Sequence, residues 1–227
     1  MADEFSNNFK MHLNETALDS LTQDLGALMG GGSFHEGKAV GFPVGIDLGV
    51  HVPILDVQTD NHILKDDGST SQVLWGQVEI GLPKKINLVG RRGELFEADL
   101  LGGGLRFGFI EPTTSVIPSL SFMALYSQLK HEFFESETLS FNVVASFGFP
   151  FVHPYLGAGY DRAKLTPTAM AFQGVAPAVR RDVKGKSEGY RVEAGVNISV
   201  FPFSYVNAAA GLANEEKMLH FGLGIKI

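Results

Sequence analysis

After Gly30-Gly31-Gly32 the chain settles into a period of two that persists to its final residue. In Leu219-His220-Phe221-Gly222-Leu223-Gly224-Ile225-Lys226-Ile227 the odd positions are large and apolar, and the even ones are His, Gly, Gly and Lys. Successive side chains of a strand point to opposite faces, so this segment has one apolar face and one small or polar face. The same division runs through 191–200, where Val192, Ala194, Val196, Ile198 and Val200 oppose Arg191, Glu193, Gly195, Asn197 and Ser199. It also runs through 139–149, where Leu139, Phe141, Val143, Ala145, Phe147 and Phe149 oppose Ser140, Asn142, Val144, Ser146 and Gly148. Extended along the chain, the pattern predicts strands near 40–54, 71–82, 84–92, 97–110, 117–130, 138–149, 153–165, 187–201, 203–213 and 217–227.

Ahead of the glycines the period is helical. Leu18, Leu21, Leu25 and Leu28 share one face of a segment from Asn14 to Met29, with Asp19, Gln23 and Asp24 away from them. Consecutive glycines then end the helix. The links between strands alternate in character. Leu82-Pro83-Lys84, Phe149-Pro150-Phe151 and Phe201-Pro202-Phe203 are short and apolar, whereas 56–70, 130–138 and 166–186 are longer and polar, and Asn214-Glu215-Glu216 falls on the same side. This predicts an all-β fold: a closed antiparallel up-and-down transmembrane β-barrel of about ten strands, turns periplasmic, both termini on the turn side. The division expected is a periplasmic amphipathic helical segment over 1–35 and an outer-membrane barrel over 36–227. The helix has two readings, at the periplasmic rim or as a plug in the lumen, and the rim is preferred because a lumen lined with side chains leaves little room for a rod about 10–12 Å across.

A soluble barrel alternates too, with its apolar side chains inside. Here the polar face is rich in glycine (Gly102, Gly104, Gly108, Gly157, Gly159, Gly195, Gly211, Gly222, Gly224), which suits a crowded interior better than a water-facing wall. Phe107, Phe109, Phe147, Phe149, Phe151, Phe201 and Phe203 gather beside the short turns, as an interfacial girdle would. Asp47, His51, Glu79, Arg91, Arg106, Arg191, Glu193 and His220 are then expected to line the lumen, with opposite charges facing one another. The sequence contains no cysteine, which removes disulfides and thiolate metal sites, and its net charge of −7 with no basic run excludes a nucleic-acid footprint. The partners expected are the lipid of a Gram-negative outer membrane and a small solute. That location assumes a secretory signal already removed, since Met1-Ala2-Asp3-Glu4-Phe5 has neither the basic start nor the apolar core of one.

Leu25-Gly26-Ala27-Leu28, followed by Gly41-Phe42-Pro43-Val44-Gly45-Ile46-Asp47-Leu48-Gly49-Val50, resembles the opening of a group of uncharacterised Gram-negative outer-membrane β-barrel proteins, in which a helix-like lead precedes a first strand of the form G-F-D-I-G-V. Gly81-Leu82-Pro83 and His153-Pro154-Tyr155-Leu156-Gly157-Ala158-Gly159-Tyr160 are similar to further elements of that group, the second also common in such barrels generally. The resemblance implies a fold and a location and brings no activity or catalytic residues with it.

Candidate chemistry is sparse, and no catalytic residue, cofactor or metal is expected. Ser127 with His131 and Glu132 or Glu135 is the nearest approach to a nucleophile and base, but its spacing matches no hydrolase motif and a solvated loop is the better account. Asp56, Asp60, Asp66 and Asp67 lack the spacing of a calcium loop and read as an acidic surface. His51 and His220, on the strands that close the barrel, read as hydrogen-bonded luminal histidines. Gly102-Gly103-Gly104 has neither a following helix nor Lys-Ser/Thr, so it reads as a kink or a space for a bulky neighbour, not as a phosphate loop. The leading expectation is a small pore or transport-related barrel with a narrow polar lumen. The alternatives are a structural or adhesive barrel presenting its loops, an outer-membrane hydrolase, and a soluble ligand-binding barrel.

Overall fold

The computed structural model describes residues 2–41, 45–64, 70–112, 114, 116–173, 182–199 and 201–227. Helices α1 (Ala2–Met11) and α2 (Glu15–Gly30) precede the strands β1 (Ile46–Asp56), β2 (Thr70–Gln72), β3 (Leu74–Leu82), β4 (Ile86–Leu95), β5 (Ala98–Ile110), β6 (Ser119–Lys130), β7 (Phe134–Ser146), β8 (Val152–Pro167), β9 (Gly185–Ile198), β10 (Ser204–Ala213) and β11 (Glu216–Lys226). From β3 to β11 each strand pairs antiparallel with the next, β1 pairs with β2 and β3, and β11 returns to β1 from Asp47↔Lys226 to Leu55↔Met218, which closes the sheet. β2 and β3 face β1 in one register, Ile54↔Gln72 and His51↔Trp75. They part only at Val73, whose N–H donates to the carbonyl of Pro53 at 3.2 Å, because Pro53 has no N–H to return a bond. The two form one stave, and the closed antiparallel barrel has ten.

The strand ends that flank links 82–86, 110–119, 146–152 and 198–204 lie at one end of the barrel with the chain's last residue, here the turn end. The strand ends that flank links 56–70, 130–134 and 167–185 lie at the other, the loop end, together with two-residue turns at Phe96-Glu97 and Asn214-Glu215. All four residues of those two turns have positive φ, from 52° to 74°, the geometry that matches a tight hairpin to strand twist. Alternation holds around the wall. Leu48, Leu105, Leu139, Val192, Phe221 and Leu223 stand exposed on the outside, while Ser121, Thr138, Ser140, Asn142, Arg191 and Asn207 are buried within.

The N-terminal segment is the departure from the sequence reading. α2 forms as expected, started by Asn14, whose Oδ1 accepts the Ala17 N–H at 3.0 Å. It does not lie on a rim. Its leucines are fully buried inside the barrel, in one apolar cluster with Leu55, Trp75, Leu100, Leu129, Phe134, Leu165 and Met218. Room exists because the wall beside it is lined with small residues: a Cβ on Gly185 would stand 2.4 Å from the Leu18 carbonyl, and one on Gly26 would stand 3.0 Å from Ala163 Cβ. α1, which the sequence reading left unassigned, packs at the loop end, with Phe5 stacked on Phe96 at 4.6 Å and Phe9 on Phe134 at 5.2 Å. After Gly30 the chain runs down the lumen to the turn end, where the Gly37 N–H donates to Ser146 Oγ at 2.8 Å. The first strand accordingly begins at Ile46 and not near residue 40. Phe42, Pro43 and Val44 of the resemblance, Asp66 and Asp67 of the acidic loop, and residues 174–181 of the 166–186 link lie outside the described residues.

Replacing Gly185 by Val forces a side chain into the α2 backbone, and overpacking of this kind costs about 1–3 kcal/mol. Gly76, on the outer face with only a carbonyl at 3.6 Å, has space for the same change. Denaturant unfolding of the detergent-folded protein is expected to show a lowered midpoint for Gly185→Val and a near-native one for Gly76→Val.

Candidate functional site: the filled lumen

The interior is layered along the barrel axis. Toward the loop end it is the apolar cluster around α2. At mid-height the helix ends, and its free carbonyls face the wall. Arg91 donates to the Met29 and Gly31 carbonyls at 3.1 and 2.8 Å, and Trp75 Nε1 donates to the Leu28 carbonyl at 3.4 Å. A cation at a helix C-terminus complements its dipole, and Arg91 also lies 4.1 Å from the Trp75 ring centroid. The glycines are required here. A Cβ on Gly30 would stand 2.2 Å from Asp161 Oδ1, one on Gly31 would stand 2.2 Å from Met218 Cε, and Gly32 has φ of 59°.

Below this point the layer is charged. Arg191 forks onto Asp161 at 2.5 and 3.1 Å and reaches Asn142 Oδ1 at 2.9 Å. Arg106 meets Glu79 at 3.1 Å, and Glu79 also accepts from Gln77 and Asn87 at 3.0 Å each. His51 Nδ1 and His220 Nε2 stand 3.2 Å apart, and His220 Nδ1 is 3.7 Å from Glu193. Nearest the turn end, Tyr205 donates to Asp47 Oδ1 at 2.8 Å, His35 Nε2 faces Asp47 Oδ2 at 3.1 Å, and Glu36 is paired with Lys226. A cleft of about 470 Å³ opens there, lined by Glu36, His153, Asn197, Tyr205 and Lys226 among others.

The eight residues expected along the lumen all turn inward, none more than 4% exposed. Their partners differ from the expected facing of Arg91, Arg106 and Arg191 against Asp47, Glu79 and Glu193. Only Arg106 and Glu79 pair directly; Arg91 caps α2 and Arg191 takes Asp161. Asp161 was legible, since it continues the inward series of Tyr155, Gly157 and Gly159. His35 and Glu36 were not, because they lie in a stretch with no period. Ser127 and His131 stay apart. Four positions of extended chain separate their backbones by roughly 13 Å; Ser127 is buried beside Gly102, and His131 packs on Phe5 and Phe134. Asp60 of the acidic loop accepts from Ser20 Oγ at 3.1 Å.

Two groups at the loop end are shifted by burial. His131, among phenylalanines, is held below the usual histidine value. Asp24, buried beneath the first loop, accepts from Asn61 Nδ2 at 2.6 Å, while its Oδ1 has no partner among the described residues. Burial outweighs that bond and pushes its carboxyl from 3.8 up to about 7. The folded state therefore holds this proton more tightly than the unfolded chain between about pH 4 and 7. Its contribution to stability is greatest below pH 4 and declines as pH rises to 7. Asp24→Asn, which keeps an acceptor for Asn61, is expected to remove that decline and to raise stability at pH 7.5 by up to a few kcal/mol, read as a flattened profile of unfolding midpoint against pH.

These features define a class: a closed ten-stranded antiparallel barrel with an apolar outer face and a lumen filled by its own N-terminal segment. The chain belongs to a family of unknown function, DUF6588, whose profile matches residues 72–227. No curated protein matches it. Among solved structures it is similar to the N-terminal β-barrel domain of Pseudomonas aeruginosa OprF (12% identity, 81% of this chain and 97% of that one, TM-score 0.37). It is similar also to Neisserial surface protein A (12%, 81% and 96%, TM-score 0.40) and to the KdgM porin (5%, 79% and 98%, TM-score 0.41).

Proposed function

We propose that this protein is an integral outer-membrane barrel held shut at rest by its own N-terminal segment, an anchored wall whose loop end is the surface offered to external partners. The observation that carries the closed state is the burial of Leu18, Leu21, Leu25 and Leu28 inside the barrel. Removing such side chains from apolar contact costs about 1.5–3 kcal/mol each, so spontaneous emptying of the lumen is rare.

The outer wall supports the membrane reading. Aromatic side chains stand at both edges of its apolar zone: Phe147, Phe149, Phe151, Phe201 and Phe203 at the turn end, and Tyr126, Tyr160 and Tyr190 toward the loop end. Beyond the tyrosines the outward positions become Glu135, Glu137, Arg162, Lys164, Lys186 and Glu188. From Val152 to Tyr160 a strand tilted about 45° rises roughly 20 Å, close to the apolar band of outer-membrane barrels. With the turns periplasmic, α1 and the head of α2 come to the outer mouth, opposite the side first expected for residues 1–35. A second reading, a gated passage for a small solute, is favoured by the charged lower lumen and its cleft, and it requires the plug to be displaced.

In planar bilayers the intact protein is expected to give no stable current steps. Leu21→Glu with Leu25→Glu places two carboxylates in the apolar layer and is expected to open the lumen to measurable steps, with the barrel still heat-modifiable on a gel. Steady conductance from the intact protein would end the closed-barrel reading.

A further inference from the structure

We infer that His35, Glu36 and Asp47 form a binding site for one divalent first-row transition ion, reached from the turn-end cleft. Their ligand atoms lie within 4.8 Å of one another, and all three residues are buried. Each carboxylate has one oxygen engaged and the other turned to an imidazole. Asp47 Oδ1 accepts from Tyr205 while Oδ2 stands 3.1 Å from His35 Nε2; Glu36 Oε1 meets Lys226 while Oε2 stands 3.6 Å from His153 Nδ1.

An independent observation points to an ion. The His35 ring is 1% exposed, yet neither of its nitrogens has a hydrogen-bond partner among the described residues, because the approach to Asp47 is out of alignment. A buried imidazole without partners is costly, and a bond from one nitrogen to a metal would remove that cost. Tyr205 stacks on His35 at 4.3 Å and 13°, which fixes the ring plane. His51, its ring 5.6 Å from that of His35, also has an Nε2 without a partner and is the nearest further nitrogen donor. One imidazole with two carboxylates suits zinc, cobalt or nickel better than calcium or magnesium, which take oxygen alone. Donors around a tetrahedral ion stand about 3.3–3.5 Å apart, so binding needs side-chain movement of roughly 1 Å. Glu36 and Asp47 supply two carboxylates as anionic ligands, and Lys226 and Lys38 line the same cleft beside them. His35 and Glu36 come from the threading segment and Asp47 from β1, so a bound ion would fasten the plug to the wall.

The test is titration of the detergent-folded full chain with Zn²⁺ by calorimetry, and with Co²⁺ by its visible absorption, at pH 7. One saturable site per chain is expected. His35→Gln and Asp47→Asn should each weaken it by at least about tenfold, and the Co²⁺ absorption should shift or vanish. The half-buried His12 and the exposed His62, their rings 5.8 Å apart, form the competing site nearer the surface. If His12→Gln with His62→Gln abolishes binding while His35→Gln leaves it intact, the inference is overturned. Absence of saturable Zn²⁺ or Co²⁺ binding to the intact chain overturns it without any variant. Neither result bears on whether the barrel conducts, so the two readings fail separately.

Discussion

The leucine face of α2 and the inner wall of the barrel supply each other's core, and every other feature of the interior is arranged around that contact. Ten staves enclose a space that polar side chains alone would fill poorly, since each buried polar group needs a partner. The helix brings apolar volume instead. It can do so because Gly185, Gly26 and Ala163 let two backbones approach closely where larger residues would keep them apart.

The depth of the helix is set at its end. Arg91 and Trp75 take the last carbonyls, and the glycines that follow pass between Asp161, Arg191 and Met218, where no side chain fits. With Arg91 at this level and below it, Arg106, Arg191 and the part-buried Lys226 share the interior with Glu36, Asp47, Glu79, Asp161 and Glu193, nearly balanced in charge. A buried charge persists when an opposite charge or hydrogen-bonding groups compensate it, as the helix carbonyls do for Arg91. The lumen thus joins a core like that of a water-soluble protein to a polar network like that of a barrel wall, with Gly30-Gly31-Gly32 as the seam.

Much of the wall was legible beforehand. Alternation set which residues face inward, and the eight residues chosen by that rule are all buried. Their partners were not legible, because parity gives a side chain's face without its height or its neighbour. Arg191 finds Asp161 and not a glutamate because strand register brings β8 beside β9 at Gly159↔Arg191. α1 was missed although Phe5, Phe9 and Leu13 recur at helical spacing; so short a stretch carries little signal until Phe96 and Phe134 pack against it.

By itself the sequence determined the antiparallel strands, the direction of their side chains, the apolar outer face and the helix between Asn14 and the glycines. These depend on neighbours along the chain, and a period of two or of 3.6 records them directly. Only the tertiary structure decided that the helix lies within the barrel, that the chain crosses from loop end to turn end before β1 begins, and that His35 and Glu36 meet Asp47. Those outcomes turn on the space left by residues far apart in sequence, and no local pattern carries that information.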